Sequence, residues 1–128
     1  MCSIIGYKGV FQIDFVSNLL DESRCRGLHS FGYHTKNGTQ KFLDYNLFKK
    51  ELLKEQPEIF IAHFRYSTSG DYQDKENNQP LTYDGKSMVF NGVISQLDKT
   101  SMEKKFEIEI TPRPGGMWEF FFNRRSVL

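Results

Sequence analysis

The chain has 128 residues, the size of one ordinary domain, and a chain of this length can bury a core without disulfides or a structural metal. Lys and Arg total 17 against 16 Asp and Glu, so a formal net charge of +1 supplies no field to gather nucleic acid or an anionic membrane. No run approaches the roughly 20 apolar residues of a membrane helix, and the N-terminus lacks the basic-then-apolar pattern of a secretory signal. The expected location is therefore the cytoplasm, with Cys2 and Cys25 as thiols.

In chain order, residues 2–7 are a short β-rich run, and residues 14–24 follow with Val16, Leu19 and Leu20 at helical spacing. This predicts a strand leading into an amphipathic helix that ends near residues 25–27. Residues 30–35 and 39–43 are two β-type runs joined by Asn37-Gly38, a strong hairpin signal. Asp44 can cap a second helix through about residue 54 that buries Leu47, Phe48 and Leu52. Pro57 separates that helix from the apolar run 59–64, which reads as a buried strand. A polar loop spans 67–79, and a strand over 87–90 ends at Asn91-Gly92. Residues 98–105 then read as a short helix and 106–110 as a strand. This order of elements predicts an α+β fold, with 12 Phe, 6 Tyr and 1 Trp supplying much of the core. The segment Thr-Pro-Arg-Pro-Gly-Gly at 111–116 is a break, which sets a domain over 1–110 apart from an atypical tail over 111–128.

Chemistry begins at Cys2. A small residue after the initiator Met is compatible with Met1 removal, which would leave a thiol and an α-amine on one residue. An α-amine with a pKa of about 7.7 to 8.0 is partly unprotonated near neutral pH and can take the thiol proton directly or through water. The other reading is a small hydrophobe at the start of a strand. Cys25, His29, His34 and His63 fit no usual zinc spacing, so no metal is expected. Gly85-Lys86-Ser87 lacks the upstream glycine of a phosphate loop, and no cofactor is expected.

Several spaced motifs occur together: Cys2-Ser3-Ile4-Ile5-Gly6, Arg26-Gly27 with Ser30-Phe31-Gly32 following, His63-Phe64-Arg65-Tyr66-Ser67-Thr68, Asn77-Asn78-Gln79-Pro80, and Asn91-Gly92. Over about residues 2–97 the chain resembles the class II glutamine amidotransferases, the N-terminal-nucleophile (Ntn) glutaminase domains found in amidophosphoribosyltransferase and glucosamine-6-phosphate synthase. The resemblance implies a four-layer αββα sandwich. It also implies a glutaminase that hydrolyses the side-chain amide of L-glutamine through a γ-glutamyl thioester on Cys2 and passes ammonia to a separate synthase subunit. By the same resemblance Arg65 would hold the substrate α-carboxylate, with Tyr66, Ser67 and Thr68 completing the pocket. Asn91 and Gly92 would form the oxyanion hole, and Arg26 and Gly27 would line the nucleophile. Each has a plainer alternative. Arg65 alone reads as a surface ion pair, Asn91-Gly92 as a hairpin turn, and Arg26-Gly27 as a helix C-terminus.

The sequence departs from the family pattern at Ser3, where Gly is usual, and in the absence of any Asp after Asp98 to bind the substrate ammonium. It also ends on the aromatic segment 118–125 in place of a longer domain. That segment is expected to complete the core differently, to dock on a partner, or to reflect a truncated or frame-shifted gene. These departures keep a second expectation open: a catalytically weak member that serves as a binding or regulatory module.

Overall fold

Strand alternation at residues 59–65 sorts the chain's bulk onto one side of a sheet. The computed structural model describes residues 2–68, 70–91, 108–112 and 118–122, the last two stretches by their backbone. Strands β1 (Ser3–Lys8), β2 (Ser30–Thr35), β3 (Gly38–Phe42) and β4 (Ile59–Arg65) form an antiparallel sheet in the order β1-β4-β2-β3. Ile5 and Tyr33 both pair with Ala62, while Phe31 pairs with Phe64, so these side chains share one face. Helices α1 (Ile13–Arg24) and α2 (Tyr45–Glu55) lie over that face. Val16, Leu20, Phe48 and Leu52 are fully buried there with Phe31, Phe60 and Phe64. The Phe48 ring is central, with its centroid 5.4 Å from Phe64 and 5.7 Å from Phe31.

The local signals explain the element ends. The Asp44 carboxylate accepts from the Leu47 backbone N–H at 2.7 Å and caps α2. Leu47 itself is exposed, against the expectation of a buried face of Leu47, Phe48 and Leu52. Tyr45, Phe48 and Leu52, spaced three and four apart, point to the sheet, and Leu47 falls one residue off that stripe. The hairpin turn is Lys36-Asn37, one position earlier than Asn37-Gly38, because Gly38 opens β3 opposite Thr35 with φ of 114°.

The opposite face of the sheet carries Ile4, His63 and Gly32 in one row. The chain returns over this row through a 3-10 turn at Lys75–Asn77 and then through Gln79-Pro80. A Cβ on Gly32 would meet the Gln79 carbonyl oxygen at 2.1 Å, so only glycine admits this crossing. A hairpin of β5 (Leu81–Tyr83) and β6 (Lys86–Met88) follows, turned by Asp84 and Gly85 at positive φ. The strand expected over 87–90 overlaps β6 at residues 87 and 88, and β5 falls where no strand is expected.

The chain divides into two units, Met1–Asn91 and Gly92–Leu128. Within the second, β7 (Ile108–Pro112) and β8 (Trp118–Phe122) pair as an antiparallel hairpin, Ile110 opposite Phe120. The proline-containing break expected from residue 111 thus begins inside β7. The helix expected over 98–105 lies outside the described residues. The architecture is α+β with antiparallel sheets. Among the described residues, no helix is long and apolar enough to cross a membrane.

Candidate active site

The antiparallel register of β1 and β4 places the start of the first beside the end of the second, because Ser3 pairs with Phe64. Cys2 therefore meets the segment that leaves β4. Its Sγ–H donates to the Tyr66 carbonyl at 3.8 Å, and its own backbone carbonyl accepts from the Asn91 side-chain amide at 3.0 Å. Segments 2, 65–67 and 91 thus converge at one end of the sheet.

Asn91 reaches this place through Gln79. The Gln79 side-chain amide mimics a strand partner for Phe90: its Nε2 donates to the Phe90 carbonyl at 3.0 Å, and its Oε1 accepts from the Phe90 N–H at 2.5 Å. A paired Phe90 backbone fixes the position of the residue that follows.

Arg65 is buried, and its guanidinium organises the loop over 70–78. Nη1 donates to the Asn77 carbonyl at 2.9 Å and to the Asn78 Oδ1 at 2.7 Å, while Nη2 reaches the Gly70 carbonyl at 3.4 Å. Burial pushes the Arg65 guanidinium below its ordinary value, opposed by Cys2 and by Asp71 nearby. The two asparagines are fully buried and hold the loop in turn. The Asn77 amide donates to the Asp71 carbonyl at 3.0 Å and the Asn78 amide to the Tyr72 carbonyl at 2.7 Å. This loop is the Asn77-Asn78-Gln79-Pro80 motif in space: two residues hold Arg65 and the third holds Phe90.

The remaining motif residues take different places. Ser67 Oγ donates to the Gly70 carbonyl at 3.0 Å, Tyr66 is 46% exposed, and Thr68 is exposed. Gly27 is buried against β4, where a Cβ would lie 2.3 Å from the Phe64 carbonyl carbon and oxygen. That close approach admits only glycine. Arg26 is exposed, with its backbone N–H on the Ser23 carbonyl at 3.2 Å, so the helix C-terminus is the role visible for it. Gly92 lies outside the described residues.

The three histidines have different surroundings. His34 Nδ1 pairs with Thr39 Oγ1 at 2.8 Å. His63 is buried, and that burial, aided by the Arg65 charge and opposed by the Phe90 backbone, pulls its pKa down to about 4. Among the described residues its Nε2 has no hydrogen-bond partner. His29 Nδ1 accepts from the Ser67 N–H at 2.8 Å, and its ring centroid lies 4.9 Å from those of both Tyr66 and Tyr72. This arrangement of His29 is not legible in the sequence, since its two aromatic neighbours and its hydrogen-bond donor lie 37 or more positions away in the chain. Cys25 is exposed, its Sγ–H on the Glu22 carbonyl at 2.9 Å.

A cavity of about 740 Å³ opens at the far end of β4, lined by residues that include His34, Asn37, Glu55, Ile59 and Ser87. Ile59 pairs with Lys8 and Phe64 with Ser3, so this cavity and the Cys2 site occupy opposite ends of the sheet. In comparisons with known proteins, no family model, curated protein or solved structure matches the chain.

Proposed function

We propose that this chain is a class II glutamine amidotransferase domain acting as a glutaminase, with Cys2 as nucleophile after removal of Met1. The observation that carries the reading is the convergence on residue 2 of Tyr66 and Asn91, from two motifs far apart in the chain. A hairpin turn alone would give Asn91 no reason to reach the chain's start.

In the mechanism, the freed α-amine of Cys2 takes the proton from Sγ, and the thiolate attacks the side-chain amide carbon of glutamine. Negative charge develops on the former carbonyl oxygen. The Asn91 amide nitrogen carries two hydrogens, and one bond to the Cys2 carbonyl leaves the second to stabilise that oxyanion. The backbone N–H of Gly92 is its expected companion by the resemblance. The ammonium on Cys2 then returns its proton to the leaving nitrogen, the C–N bond breaks, and ammonia departs from a γ-glutamyl thioester. Water adds to the thioester, the amine again serving as base, and glutamate leaves with the thiol restored.

The substrate α-carboxylate would exchange places with the Gly70 carbonyl at Arg65 Nη2, since a charged acceptor outcompetes a neutral one held at 3.4 Å. Asp71, within electrostatic reach of Arg65, is a candidate for the substrate ammonium in place of the family's downstream Asp. A helical layer on one face of a sheet, with the β5–β6 hairpin following the strand segments, supports reading the fold as part of the αββα sandwich. Ammonia would pass to a separate synthase subunit, and a thiol nucleophile suits the reducing cytoplasm.

A second reading is supported by the same side chains. Arg65 Nη1 is satisfied by Asn77 and Asn78, as a binding module without turnover would permit. Glutamine hydrolysis by the purified protein separates the two. The glutaminase reading expects ammonia release that is lost in Cys2→Ala and is faster for glutamine than for asparagine or γ-glutamyl amides. Release that survives Cys2→Ala overturns it.

A further inference from the structure

We propose that His29 is a positioning residue that orients the Cys2 thiol through a single peptide plane. Its catalytic consequence rests on the glutaminase reading above. The Tyr66 carbonyl and the Ser67 N–H belong to the same peptide unit, which is planar and rigid, with the two groups pointing in opposite directions. On one side the Ser67 N–H donates to His29 Nδ1 at 2.8 Å, and on the other the Tyr66 carbonyl accepts from Cys2 Sγ at 3.8 Å. Rotating this peptide would break both contacts together, so the imidazole fixes which way the carbonyl faces.

His29 is itself well held. Its backbone N–H donates to the Arg65 carbonyl at 3.0 Å, so one residue grips the chain leaving β4 at two successive peptides. Its ring lies against Tyr72, stacked at 19°, and Tyr66, tilted at 31°. Because Nδ1 accepts from a backbone N–H, the ring proton sits on Nε2. Tyr72 also accepts from the Asn78 amide through its carbonyl, and Asn78 accepts from Arg65. His29 thus connects the loop held by Arg65 to the peptide that faces the thiol.

The test separates the acceptor from the ring. His29→Phe keeps the aromatic stack and removes the acceptor, with His29→Leu as a second variant lacking it. His29→Asn places an amide oxygen near the Nδ1 position and loses the stack. The first readout is iodoacetamide alkylation of Cys2, mapped by mass spectrometry, with exposed Cys25 as internal reference. Released from its carbonyl, the Cys2 thiol reacts faster in His29→Phe and His29→Leu. The Cys2-to-Cys25 rate ratio rises about threefold to fivefold, the equivalent of one hydrogen bond from a weak thiol donor. It stays near wild type in His29→Asn. The second readout is glutamine turnover, in which kcat falls in the Phe and Leu variants and Asn restores it, while KM changes little. A labelling ratio unchanged in Phe and Leu, or Asn as altered as Phe, overturns the proposal. A wild-type protein that does not turn over glutamine would instead refute the glutaminase reading, and the labelling ratio would still decide the role of His29.

Discussion

The Asn91 side-chain amide donates to the Cys2 backbone carbonyl at 3.0 Å across 89 positions of sequence. The bond ties the residue that leads into β1 to the segment after the β5–β6 hairpin, and Gln79 makes it possible by holding Phe90 on both its backbone groups. Within the glutaminase reading this places an amide donor beside the nucleophile before substrate arrives, which is the preorganisation that an oxyanion hole requires.

On the glutaminase reading, replacing Asn91 by Ala is expected to lower kcat for glutamine about 10²- to 10³-fold with a smaller change in KM, the usual loss when an oxyanion donor is removed. Gln79→Ala is expected to act in the same direction through Phe90. Steady-state kinetics on both variants check this, and an Asn91→Ala enzyme with unchanged kcat would remove Asn91 from the site.

Arg65→Lys retains the charge and loses the forked geometry that reaches Asn77 and Asn78. Hydrogen bonds to charged groups contribute about 1.5 to 3 kcal/mol, so the loop over 70–78 is expected to loosen and, on the glutaminase reading, glutamine KM to rise at least tenfold. Limited proteolysis of that loop and substrate titration measure the two effects separately.

Two glycines with different surroundings make a stability comparison. Gly27→Ala would drive a methyl to 2.3 Å from the Phe64 backbone, while a Cβ on Gly6 meets nothing within 4 Å. Urea unfolding is expected to show a loss of about 1 to 3 kcal/mol or more for Gly27→Ala, by overpacking against rigid backbone. Gly6→Ala should stay within about 0.5 kcal/mol of wild type.

His63 gives stability an acid limb. Its folded-state pKa is depressed from 6.5 to about 4, so between these values the unfolded chain holds a proton that the folded chain does not. Stability is full above about pH 6.5 and falls as pH drops toward 4, by as much as about 3 kcal/mol for this one residue. Unfolding free energies at pH 7 and 4.5 measure the fall, and a folded His63→Asn variant should flatten it. At the alkaline end, burial and the nearby Glu55 raise the Tyr33 pKa from 10.0 to about 12, so its contribution is present below pH 10 and lost as pH rises through that interval.

Most of the sheet and both helices were legible because their signals are local. Asp44 is a cap wherever a helix follows it, and residues 59–64 are apolar enough to demand burial. Leu47 is exposed against expectation because apolar character alone does not say which stripe of a helix meets a sheet. The three-residue strand β5 has too few positions to show any period. The motif residues stand out in the sequence, yet the partners they take in the structure do not. Nothing in the sequence says that Arg65 is held by Asn77 and Asn78, or that His29 accepts from Ser67. Those contacts depend on how the chain folds back over the end of β4, which local pattern does not encode.

If Cys2, freed of Met1, is a nucleophile in a glutamine pocket, a glutamine-like diazoketone alkylates it, and intact-mass spectrometry reads both the processing and the adduct. The glutaminase reading predicts a chain without Met1 that gains one adduct, mapped to Cys2 and suppressed by excess glutamine. A retained Met1, or a chain that gains no adduct while iodoacetamide still labels Cys2, would contradict it.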